Sequence, residues 1–120
     1  MSKATLNDWV WVEAAILQSA LGVIPRAVYA VGLSERGDEW IITCFTSQAL
    51  PEDEKSDLIE IPAEAEEALQ EFSQIEGIAT TSASLKPLRM EIVVGDHVLI
   101  RDLVPARVDR LIMAWNPQGL

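Results

Sequence analysis

Apolar residues recur every three or four positions through ALPEDEKSDLIEIPAEAEEALQEF, residues 49–72: Leu58, Ile61, Ala65, Ala68 or Leu69, and Phe72. That spacing predicts one buried stripe on a helix over 51–73. Pro51 suits its first turn, where Glu52, Asp53 and Glu54 meet the positive end of the helix dipole. Pro62 removes one backbone hydrogen bond and crowds the carbonyl of Leu58, so a kink or short break is expected there. An earlier helix is predicted over 7–21, although its WVWV run also suits a strand. Thr5 or Asn7 serves as its cap, Thr5 and Asp8 stand at capping-box spacing, and Gly22 falls just past its end. At about 100° per residue, Asp8, Ala15, Gln18 and Ser19 share one arc, and Val10, Leu17 and Leu21 the opposite, apolar one. Trp11 lands beside the polar arc and Glu13 on the apolar side, where a buried carboxylate would need a partner such as Arg26.

Between the helices the pattern changes. IPRAVYAVGL (24–33) and EWIITCF (39–45) are β-branched and aromatic, with a turn at SERGD, and predict a hairpin. Ala27, Tyr29, Val31 and Leu33 would share one face. Val28 and Ala30 leave the other only weakly polar, as a central strand or a covered second face requires. LRMEIVV (88–94) alternates, with Leu88, Met90, Ile92 and Val94 on one face. Gly95-Asp96 could turn the chain into a further strand over 97–102, although a simple loop fits as well. RLIMAW (110–115) predicts a last strand with Leu111, Met113 and Trp115 inward, and IATTSAS (78–84) suits an edge strand. The order α-β-β-α-β-β(-β) predicts a single α+β domain over 1–120, with helices packed on an antiparallel sheet.

Charge sharpens this picture. Residues 35–76 hold thirteen acids against Arg36 and Lys55, while the other 78 residues carry six acids and seven bases. The net charge of −10 therefore belongs to one third of the chain. Such a field repels phosphate backbones and attracts basic proteins, most strongly at low salt. Acidic helix faces also serve solubility alone. No stretch approaches the ~18–20 apolar residues that span a bilayer, and MSKATLND lacks the features of a signal peptide. Cys44 is the only cysteine, so no internal disulfide can form. A cytoplasmic protein is expected.

The chain carries no pattern for catalysis, metal or cofactor. His97 is the lone histidine, with only Asp96 beside it in sequence. Cys44 lies in an apolar strand, where a small core residue is expected rather than a nucleophile. Zinc and EF-hand spacings and phosphate-binding glycine loops are absent. Of the four tryptophans, Trp9, Trp40 and Trp115 read as core, and Trp11 as an interface residue.

The run AAILQSALGVIPRAVYAVGLSERGDEWIITCFTS, with the acidic helix, RMEIVVGDHVL and PARVDRLIMAW, resembles small bacterial immunity proteins encoded beside contact-dependent-inhibition and other polymorphic toxins. The likeness is one of pattern, over about residues 14–115. It implies a non-enzymatic protein that neutralises a cognate toxin, many such toxins being nucleases with basic clefts. The expected contacts are Glu52, Asp53, Glu54, Asp57, Glu60, Glu64 and Glu67, then Glu35, Asp38 and Trp11. The alternatives are an interaction module without a toxin partner, such as a homodimer through the second face of the hairpin, or a small-ligand site or unrecognised enzyme between helix and sheet.

Overall fold

A computed structural model describes residues 3–75, 77, 81–95 and 108–114. Helix α1 (Leu6–Ala20) leads into strands β1 (Val28–Arg36) and β2 (Glu39–Thr46), then helix α2 (Glu52–Ser73). A 3-10 turn (Ser82–Leu85), β3 (Leu88–Val94) and β4 (Arg110–Ala114) follow. The strands stand in the order β3-β2-β1-β4. The α+β class with helices on a sheet is as expected, but the sheet is mixed: β1 pairs antiparallel with β2 and β4, and β2 pairs parallel with β3. Crossing the sheet as α2 returns the chain to the end where β2 began, and a strand starting there must run parallel to β2.

One face of the sheet carries both helices. Val31 and Leu33 of β1, Trp40, Ile42 and Cys44 of β2, and Leu88 of β3 pack there against Val12, Ala15 and Ile16 of α1 and Leu58, Ile61, Ala65 and Leu69 of α2. Met90 and Ile92 join this core as expected, whereas Val94 is exposed. The second face is also covered at its centre, where Tyr29, Ala30, Phe45 and Val108 are buried together. Gly32 is obligatory there, since a Cβ would lie 2.6 Å from Val108.

Two irregularities reset the expected faces. The β1–β2 register shifts between Val28 and Ala30, which puts Val28 in the helix-side core and Tyr29 on the second face beside Phe45. The β1–β4 register shifts between Val31 and Gly32, so Ile112 and Met113 face the helices and Leu111 the second face. An extra residue in one strand reverses the alternation beyond it. Trp115 and the candidate strand at 97–102 lie outside the described residues. Of the edge strand expected at 78–84, residues 82–84 lie instead in the 3-10 turn, and 78–80 are outside the described set. Helix α2 runs without a break through Pro62, whose ring is buried in phase with Leu58 and Ile61.

The largest correction concerns α1. Asp8 and Ala15, on the arc read as polar, are fully buried, while Val10, Leu17 and Leu21 are exposed. Asp8 explains the inversion. Its carboxylate accepts from Thr5 N and Oγ1 at 2.8 and 2.9 Å, closing the capping box, and from Thr81 N and Oγ1, both at 2.7 Å. Thr81 Oγ1 in turn accepts from Ala83 N, and Ala83 O accepts from the indole of buried Trp40 at 2.9 Å. Trp40 is a core residue as expected, and half-buried Trp9 packs edge-on against it at 4.9 Å.

Burial acts to raise the Asp8 pKa, but the hydrogen bonds from Thr81 and Thr5 outweigh it and hold the carboxyl below the ordinary carboxylate range. A carboxyl lowered on folding contributes stability above its unfolded pKa and loses that contribution as pH falls through its folded one. Asp8→Ala should therefore cost about 3 kcal/mol near pH 7, the sum of a lost cap and lost charge-assisted bonds. Urea denaturation of both proteins should show the gap narrowing below about pH 4.

Candidate protein-binding surface

Helix α2 is sharply two-sided. Leu58, Ile61, Pro62, Ala65 and Leu69 are buried, which turns the other residues of each turn to solvent. Asp53, Asp57, Glu60, Glu64, Glu67 and Glu71 recur at intervals of four, three, four, three and four, and all six are exposed. At 1.5 Å per residue they form an acidic row about 27 Å long, measured along the helix. Among the described residues none of the six has an ion-pair or hydrogen-bond partner. Five of these carboxylates were expected, and Glu71 was missed although it stands one turn beyond Glu67. Glu52 and Glu54 lie about 100° to either side of the stripe, and Glu54 is half-buried.

The other expected contacts are not gathered here. Glu35 is only 12% exposed and bonds Lys86 Nζ at 2.7 Å and Ala4 N at 2.8 Å, tying β1 to the segments before α1 and β3. Asp38 is exposed at the hairpin turn, beside Gly37 with its φ of +58°. Trp11 is half-buried with its ring 5.3 Å from that of Phe72, sealing α1 to α2. Its place beside Asp8 and Ala15 on the helix is thus explained, since that part of the arc is inward.

Reactive groups are few. Burial pushes the Cys44 thiol up to about 12, and its Sγ lies 3.5 Å from Met90 Sδ. At neutral pH it is a protonated core residue. Glu13 has Arg110 as its partner, Oε1 to Nε 3.0 Å, where Arg26 was expected. Oε1 accepts no hydrogen bond, so the contact is a charge pair alone. Burial raises the Glu13 pKa and the Arg110 charge offsets part of the rise. Arg110 also lies over the Trp9 ring at 5.4 Å. Among the described residues no three His, Cys, Asp or Glu side chains converge to hold a metal. No helix among them is long and apolar enough to cross a membrane.

Compared with known proteins, the chain matches no family model and no curated sequence. The geometry of its surfaces therefore carries the functional reading.

A stripe of like charges is a local cost. Each neighbouring pair opposes the helix by roughly 0.2–0.5 kcal/mol, so the row as a whole costs about 1–2.5 kcal/mol at low salt. Glu64→Lys should reverse part of it, because the new cation sits four residues after Glu60 and three before Glu67. Its urea midpoint at low ionic strength should rise by the equivalent of about 0.5–1 kcal/mol, and the gain should shrink in high salt.

Proposed function

We propose that this protein is a non-enzymatic inhibitor of the immunity type, which binds a cognate bacterial toxin and occupies its basic, substrate-binding cleft with α2. The observation that carries this reading is the unpaired stripe of six carboxylates. Its spacing along a rod about 27 Å long suits a groove lined with Arg and Lys. The likeness in pattern to immunity proteins of polymorphic toxins supports the same reading, which also puts the protein in the cytoplasm, where such a toxin would act. The acids stand on the outer face of a helix whose inner face is locked in the core, so they meet a partner without refolding. Little ordering cost opposes binding in that case. Complementary charge speeds encounter and selects the partner, while desolvated contacts at the centre of the interface set the release rate.

Co-expression with the C-terminal domain encoded immediately upstream should relieve that domain's toxicity and yield a co-purifying complex. The on-rate should fall steeply with salt. Reversing Asp53→Lys, Asp57→Lys and Glu60→Lys together should slow it tenfold or more while leaving circular dichroism unchanged. A salt-independent on-rate, or capture by the reversed variant as fast as by the parent, would overturn the assignment.

A further inference from the structure

The outward face of α1 is apolar and belongs to no part of the acidic surface. Leu6, Val10, Leu17 and Leu21 are 71%, 47%, 39% and 77% exposed, which makes them four of the nine large apolar side chains exposed among the described residues. Half-buried Ala14 and exposed Asn7 and Gln18 border them on one side, and Glu13 on the other. The one charge at this edge, Glu13, is turned to Arg110. The ridge thus carries no net charge, on a chain whose net charge is −10.

Its pattern is self-complementary. Leu6 and Leu21 are equally distant from the point between Glu13 and Ala14, and so are Val10 and Leu17. A two-fold axis through that point lays a second α1 antiparallel on the first, with Leu6 against the partner's Leu21 and Val10 against the partner's Leu17. Ala14 and Glu13 flank the crossing on opposite sides, the first small enough for close approach and the second neutralised by Arg110. An interface between identical chains requires such a patch, because each residue must meet its counterpart from both sides. Charge favours the same occupant: a basic protein gains nothing from a neutral ridge, whereas two strongly acidic chains can meet here because the one carboxylate beside the crossing, Glu13, is neutralised by Arg110. The alternative face, the far side of the hairpin, is already buried at Tyr29, Ala30 and Phe45.

We infer that two copies of this chain pair antiparallel through the outward face of α1. One helix pair buries well under the ~800 Å² per partner of a standard stable interface, so the dimer is weak and concentration-dependent. Its formation opposes the mutual repulsion of two acidic chains, and added salt therefore strengthens it. This is the reverse of the salt response expected for a basic partner, so the pairing stands or falls independently of the inhibitor assignment.

Sedimentation equilibrium of the full chain decides the matter. The average mass should rise with concentration from 13.2 kDa toward twice that value, more readily at higher salt. Val10→Lys and Leu17→Lys should each weaken association tenfold or more with circular dichroism unchanged. Ile59→Lys, at an exposed apolar site on α2, should leave association intact. In a mixture of Val10→Cys and Leu17→Cys chains, a thiol cross-linker should join one variant to the other. A parent that stays at 13.2 kDa throughout, a ridge variant that associates like the parent, or an Ile59→Lys chain that fails to associate would overturn the proposal. Cross-linking of Val10→Cys chains mainly to themselves would overturn the antiparallel register.

Discussion

The Asp8 carboxylate holds together parts of the chain that are far apart in sequence. It receives two hydrogen bonds from Thr5 at the start of α1 and two from Thr81 just before the 3-10 turn. A fully buried carboxylate is tolerable only because all four donors are aimed at it. With Thr81 held, Ala83 O can receive the Trp40 indole, and the chain is delivered to β3 beside β2. With Asp8 inward, α1 is fixed in rotation. Val12, Ala15 and Ile16 then meet the sheet, Trp11 meets Phe72, and Leu6, Val10 and Leu17 face solvent.

This constraint gives the two helices opposite outer characters. Helix α2 keeps the ordinary arrangement, apolar within and charged without, and its outer row is anionic throughout. Helix α1 spends a buried position on a carboxylate and exposes leucines instead. The surface therefore divides into a charged strip that favours a basic partner over longer distances and a neutral ridge that acts only at contact. Binding of a basic partner to the first would weaken with ionic strength and pairing of two copies through the second would strengthen, because screening removes attraction in one case and repulsion in the other.

The sheet is covered at its centre on both faces. Its ion pairs tie strands to one another and to flanking segments: Lys86 with Glu35, Arg89 with Glu39 and Glu91, Arg36 with Asp109, and Arg110 of β4 with Glu13 at the edge of the α1 ridge. Most of these pairs are half-exposed and contribute little to stability. Lys86–Glu35 is the exception, with both side chains nearly enclosed and the cation 5.9 Å from the centre of the Trp40 ring. Glu35 is thereby committed to the fold, although its charge alone made it look available to a partner.

Local chemistry along the chain was enough to determine several features. The stripe through Leu58, Ile61, Ala65 and Leu69 settles which side of α2 is inward, and hence where most of its acids point. The Thr5–Asp8 spacing specifies a capping box, and the β-branched runs specify the hairpin and β3. Each depends on residues within a turn or two of one another. Tertiary structure alone decided the rest. Asp8 is polar, and only the arrival of Thr81, 73 residues later, makes its burial favourable. The parallel β2–β3 pairing depends on where α2 crosses the sheet, and the strand faces depend on register shifts that a period of two cannot reveal. Partners distant in sequence determine whether a polar group is worth burying, and so they alone decided which face of α1 remained exposed.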